Sequence, residues 1–157
     1  MITGATFSKC GNYRYELSRI WDEDKPYALF VALNPSTADG QHDDPTTRRC
    51  TDFARSWKAF GGMRLVNLFA FRATLPEDLM AAKDPVGRAN NRWIRRLSGE
   101  AGLVIAAWGN HGTYRSRSEA VRGMLPKAHC LRLNASGEPA HPLYLPKTLN
   151  PRRWHHR

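Results

Sequence analysis

The chain has 157 residues, a formal net charge of +10, a hydrophobic fraction of 41%, five tryptophans and six phenylalanines. Length and apolar content are those of one folded domain with a sizeable core, and no apolar run approaches the roughly 20 residues that span a bilayer, which excludes a membrane-crossing helix. The charge selects for polyanionic partners, nucleic acid being the commonest, and eighteen of the 24 basic residues are arginine, suited to bidentate phosphate contact.

The first residues lack the basic start and apolar stretch of a signal peptide, so a cytoplasmic location is expected. Phe7 to Cys10 and Tyr13 to Leu17 are short, aromatic and alternating, with Gly11 and Asn12 between them, which predicts an N-terminal antiparallel hairpin. Asp22 to Pro26 break the pattern before an apolar run, Ala28 to Leu33. A polar loop follows, and the spacing predicts a helix inside it with Asp44 as N-cap and Pro45 at its first position. Cys50, Phe53, Ala54 and Trp57 form its inner face, Gly61 and Gly62 end it, and Arg48, Arg49, Arg55 and Lys58 are read as solvated.

A second apolar run, Arg64 to Leu68, leads to Phe69 to Arg72. Thr74 and Glu77 have the spacing of a capping box before a short helix to about Ala82. Asp84 and Pro85 are read as capping another helix, with Val86, Ala89, Trp93 and Leu97 inside and Arg88, Arg92, Arg95 and Arg96 crowding the rest. Leu103 to Trp108 make a third run, ending in Gly109 to Gly112. A last helix is predicted from Tyr114 to Leu125, with Val121 and Leu125 inward, before a fourth run, His129 to Leu133. Residues 150–157 read as a flexible basic tail, and no repeat or linker divides the domain 1–157.

Four apolar runs alternating with helices argue for βαβ units. The expected fold is an α/β three-layer sandwich: a mainly parallel four-stranded sheet, helices on both faces and the N-terminal antiparallel hairpin. Ligands of such sheets bind beyond the carboxyl ends of the strands, where the polar motifs converge. Pro35 pushes Asn34 out of the helical region and presents its amide at the sheet edge. Asn67 offers a second amide and His141, before Pro142, an imidazole, a set suited to reading the edge of a planar heterocycle. The nucleophile-and-base arrangement of acyl transfer and the glycine-rich phosphate loops are both missing. Cys10, Cys50 and Cys130 are too far apart for a metal site and read as buried free thiols. No metal or cofactor is expected.

The order Asn34-Pro35, Asn67, Trp108-Gly109 and His141-Pro142 resembles the uracil-DNA glycosylase superfamily. Together with Asp44 to Arg49 and His141 to Leu145 it also looks like a small bacterial and phage family, domain of unknown function 1643. The glycosylase resemblance implies that Asn34 positions the water attacking the sugar C1′ and that His141 stabilises the leaving base, making these two the catalytic candidates. It implies that Pro35, Ser36, Asn67, Phe69 and Arg72 line the base or nucleic-acid site and that Leu143, Tyr144 and Leu145 form an apolar wedge. Ser36 stands where the glycosylases carry glycine or an aromatic, and Leu143 where they carry serine. The implied substrate is therefore a damaged or modified base. The expected partner is nucleic acid, DNA rather than RNA, approached by a monomer without a membrane. The alternatives are a non-catalytic nucleic-acid- or nucleotide-binding module of the same fold and, less favoured because of the charge, a hydrolase of free nucleosides or nucleotides.

Overall fold

The computed structural model describes residues 1–125 and 127–154. In chain order the elements are β1 (Ile2–Phe7), β2 (Arg14–Ile20), β3 (Tyr27–Ala32), α1 (Pro45–Ser56), β4 (Gly62–Asn67), α2 (Pro76–Ala81), α3 (Asn90–Glu100), β5 (Leu103–Ala106), a 3-10 helix (Asn110–Ser116), α4 (Arg117–Arg122), β6 (His129–Cys130) and β7 (Arg152–Arg153).

Among the described residues these strands form one mixed sheet of seven, in the order β1-β2-β4-β3-β5-β6-β7. The expectation of a mainly parallel four-stranded sheet is thereby corrected. The four expected strands are there and pair in parallel, β4 with β3, β3 with β5 and β5 with β6. The hairpin, however, does not stand apart: β2 pairs antiparallel with β4 and carries β1 as the sheet's outer strand. At the other edge β7 pairs antiparallel with β6, so the predicted flexible tail is in part a sheet strand. Trp154 is buried with its ring 5.5 Å from that of Trp108; its indole, together with the backbone pairing to β6, fixes this end of the chain. His155, His156 and Arg157 lie outside the described residues.

Alternation along the central strands divides the core in two. Leu29, Val31, Val66 and Ala106 pack with Leu79 of α2, Ile94 and Leu97 of α3 and Val121 of α4. Phe30, Met63, Leu65 and Ile105 pack on the other face with Cys50, Phe53 and Ala54 of α1. β3 is thus buried on both sides, which explains its unbroken apolar run. After β4 the chain crosses β3 to build β5 on its far side. The connections therefore diverge at the carboxyl ends of β3 and β5, the place where open α/β sheets take ligands.

Local chemistry sets where helices begin. Asp44 caps α1 as expected, its carboxylate accepting from the Thr47 N–H at 2.8 Å, with Pro45 following. The capping box is not made. Pro76 starts α2 and holds Leu75 extended as the cap residue, with no side-chain cap bond, as the restriction before proline requires. Asp84 accepts from the Gly87 N–H at 3.2 Å and so caps a turn, while α3 begins only at Asn90. Leu97 is inside as expected and Val86 and Trp93 pack half-buried against the core, but the later start adds Asn90 and Ile94 as the fully buried positions. The predicted helix from Tyr114 is broken, because Arg115 and Ser116 both take left-handed backbone, φ 52° and 54°, before α4 starts. Val121 and Leu125 point inward as predicted. No helix among the described residues is long and apolar enough to cross a membrane.

Candidate functional site

Asn34 leaves the carboxyl end of β3 half-buried. Its side-chain NH2 donates to the carbonyl of Ala73 at 2.7 Å and to that of Pro35 at 3.1 Å, and the Pro35 carbonyl also accepts from the Ala73 N–H at 3.0 Å. Both amide protons are thus committed to holding the turn against the segment after β4. The Oδ1 accepts no hydrogen bond among the described residues. Asn34 lines a small cleft of about 70 Å³ with Leu33, Thr74, Met80, His111 and Tyr114 among its walls. Buried Pro35 stiffens this strand end, and half-buried Ser36 follows it.

The wall opposite comes from the end of β5. Trp108 is buried and its indole N–H donates to Glu138 at 3.0 Å. Gly109 follows at φ 77°, a conformation open to glycine at little cost. Gly112 is required for a different reason: a Cβ there would lie 2.2 Å from Cδ1 of Trp108. The turn between the two glycines carries exposed His111 into the Asn34 cleft.

His141 is not among that cleft's walls. It is half-buried beside Gly109, from which a Cβ would stand 3.5 Å from its own. Burial pushes its pKa below the usual 6.5, opposed by the nearby carboxylate of Asp44. Its Nδ1 accepts from the backbone N–H of Leu143 at 3.2 Å, so the neutral ring carries its proton on Nε2. The following segment is clamped to α1 by Arg49, which donates to the carbonyls of Pro142 at 3.3 Å and Leu145 at 2.8 Å. Arg49 is therefore a structural clamp, where the sequence read it as solvated.

The structure distributes the other candidates differently from the sequence reading. Asn67 is buried, with its Oδ1 3.5 Å from an Arg14 guanidinium nitrogen. Phe69 is fully buried against Tyr114, ring centres 5.7 Å apart, and serves the core. Arg72 is exposed but folds back onto the hairpin, donating to the Gly11 carbonyl at 3.0 Å and lying 4.8 Å over the Phe7 ring. Of the expected wedge, Leu145 is buried in the α1-side core and Leu143 is half-buried. Tyr144 alone projects, 95% exposed and at φ 70°. Cys10 is exposed on the hairpin turn, against the expectation of three buried thiols, while Cys50 and Cys130 are buried.

Several buried polar groups escaped the sequence reading. Arg14 is 1% exposed; it donates to the Ala38 carbonyl at 3.0 Å, and its Nε has no partner among the described residues. Burial holds its pKa down to about 10, with the Asp44 carboxylate opposing. Asp44 thus acts on Arg14 and His141 alike. Arg117 donates to the Leu68 carbonyl at 2.7 Å and to Oδ1 of Asn91, and Asn90 donates to the carbonyls of Asn67 and Leu68 at 2.9 and 3.1 Å. Both Glu138 oxygens are bonded, one to Trp108 and the other to the Ser118 hydroxyl at 2.7 Å. An arginine among alternating aromatics, or one at a helix start, carries no sequence mark that separates it from a solvated residue.

The family model described as Protein of unknown function (DUF1643) matches residues 14–143. The chain belongs to that family. No curated protein and no solved structure matches it. The DUF1643 match opens at Arg14 and closes at Leu143. It takes in Asn34, Asp44, Asn67, His111 and His141 and leaves β1, Tyr144, Leu145 and β7 outside.

Proposed function

We propose that this DUF1643 protein is a DNA-glycosylase-like enzyme that takes a flipped, modified base into the crevice at the carboxyl ends of β3 and β5 and hydrolyses its N-glycosidic bond. The observation that carries the reading is the Asn34 amide. With its NH2 tied to two carbonyls, its Oδ1 is a fixed acceptor at a cleft, suited to holding a water by one O–H with the oxygen lone pair turned to C1′. In the reaction the water oxygen bonds to C1′, the C1′–N bond breaks, and its electron pair leaves with the base. One proton of the water passes to the departing base or to solvent. No strong nucleophile is needed, because an oxocarbenium-like sugar is reactive enough; what helps is a preorganised donor for the charge growing on the base. Two histidines are the candidates for that donor: His111, which lines the Asn34 cleft, and His141, outside that cleft, whose Leu143 bond fixes its proton on Nε2.

A second reading has an observation of its own. The Asn34 cleft, at about 70 Å³, is well below the roughly 300 Å³ at which small-molecule sites begin. That favours a module of the same fold that binds nucleic acid without excising a base.

The two readings part in a cleavage assay on labelled single- and double-stranded oligonucleotides carrying uracil, mismatches and modified pyrimidines or purines, with alkali revealing abasic sites. Excision expected of the native chain disappears in Asn34→Ala and falls steeply in His141→Gln, with DNA affinity retained. Absence of excision together with tight, salt-sensitive binding favours the binding module. Loss confined to His111→Gln moves the donor role to His111.

A further inference from the structure

Outside the crevice, one surface concentrates charge in a shaped form. Arg88, Asn91, Arg92, Arg95 and Arg96 line an open concavity of about 590 Å³ along α3. Within α3 the spacing puts Asn91, Arg92, Arg95 and Arg96 on one helix face, opposite the buried Asn90, Ile94 and Leu97, and Arg88 joins them from the turn before the helix. Among the described residues only Arg96 of the four arginines has an acidic partner, Glu100 at 3.7 Å on the exposed surface, and such a pair is weak. Arg96 also lies 5.4 Å over the Trp93 ring. Arg88, Arg92 and Arg95 are exposed without an ion pair. The first turn of α3 has neither an acid nor a capping side chain, so the positive end of the helix adds to the same field.

The floor of this concavity is tied to the sheet edge that carries the crevice. Asn91 is held by Arg117, which also grips the Leu68 carbonyl just beyond β4, and Asn90 beside it grips Asn67 and Leu68. Burial first, and after it the charge of Arg95, hold the Arg117 pKa down to about 10, with the Asp84 carboxylate opposing.

We propose that the arginine face of α3 is a track for the phosphate backbone of a nucleic-acid strand, leading it to the carboxyl edge of the sheet. This rests on the reading that the partner is nucleic acid. The form of the groove supports an extended polyanion over a single small phosphate. Arg92 and Arg96 are one turn apart, about 6 Å along the axis, and Arg88, in the turn before α3, lines the same concavity. A lone anion would be served by converging donors in an enclosed pocket, whereas a row of guanidinium groups on an open face matches charges repeated along a chain.

The test is fluorescence anisotropy of a 5′-fluorescein single-stranded DNA and its duplex over a range of salt, with the full chain as R88Q/R92Q/R95Q and as a charge-matched control on α1 and the turn after it, R48Q/R55Q/K58Q. Glutamine keeps helix propensity, and circular dichroism with thermal melting confirms folding; the single R92Q serves if the triple variant melts early. The groove variant is expected to lose about tenfold or more in affinity at low salt. Its plot of log affinity against log salt should flatten by about 2 for the single strand, at roughly 0.7 per phosphate contact. The α1 control should keep most of both. Binding by the native chain with groove and control variants equally affected overturns the track while leaving a nucleic-acid partner standing. No binding by the native chain overturns both the track and the reading beneath it. A groove that matters in a protein showing no excision keeps the track and dismisses only the chemistry.

Discussion

The backbone N–H of Leu143 donates to Nδ1 of His141 at 3.2 Å, and the ring that accepts it is pushed below its usual pKa of 6.5 by burial. Protonation would turn Nδ1 into a donor facing a donor, so the folded chain resists it twice over. Below pH 6.5 the unfolded chain binds a proton on this histidine that the folded chain declines. The contribution of His141 to stability is therefore present above the unfolded value and is lost as pH falls from there through the folded one. Urea unfolding of the native chain and of His141→Gln should give stability curves that run parallel at higher pH and differ in slope below about pH 6.5, the native chain losing stability faster. Parallel curves across that window would show that His141 titrates as it does in the unfolded chain.

Gly112 packs against Trp108 with no room for a methyl group, the added carbon falling 2.2 Å from Cδ1 of the indole. Gly112→Ala must displace either the backbone of the 3-10 helix or an indole held by Glu138. A cost of about 1–3 kcal/mol is expected from the overpacking, read as a lower urea midpoint together with a change in near-ultraviolet circular dichroism. A variant with native midpoint and spectrum would mean that the turn moves freely.

Much of the parallel core was legible because each of its four strands ends an apolar run and the runs are separated by helical periods. Asp44 was legible as a cap because its chemistry is local. The arginines and asparagines that join elements were not. Arg14, Asn90 and Arg117 bind carbonyls of residues distant in the chain, and nothing within a dozen neighbouring residues distinguishes them from solvated ones. The short strand β7, two residues long, owes its existence to pairing with β6 and to Trp154 packing on Trp108, so no local period marks it. In the site, Asn34 was readable from the proline after it. That its cleft contains His111 and not His141 depends on how the Gly109 turn folds.

The cysteines differ sharply in environment. Cys10 is exposed and its pKa is lowered by the Ser8 hydroxyl, 3.3 Å from the sulfur. Burial raises the pKa of both Cys50 and Cys130. Since the thiolate is the reactive form, a thiol reagent should label one site in the native protein at neutral pH, and Cys10→Ser should abolish that labelling. All three should react in denaturant. Rapid labelling of a second thiol under native conditions would mean that the core around Cys50 or Cys130 opens readily.

Tyr144 combines 95% exposure with a left-handed backbone, φ 70°, between a half-buried Leu143 and a buried Leu145 held by Arg49. A bulky residue in that conformation costs about 1–2 kcal/mol, and the exposed ring returns little of it through packing. Tyr144→Gly should relieve the strain and leave stability unchanged or raised by under about 1 kcal/mol, since glycine also loosens the unfolded chain. If the ring is the wedge that enters the base stack, the same variant should bind duplex DNA or excise a base at least about tenfold less well, consistent with roughly 1–3 kcal/mol for stacking on one base. Tyr144→Phe should restore that function without relieving the backbone, which separates the ring from the turn. A Tyr144→Gly protein that is more stable and equally active would assign the strain to the geometry of the Arg49 clamp and remove Tyr144 from the nucleic-acid interface.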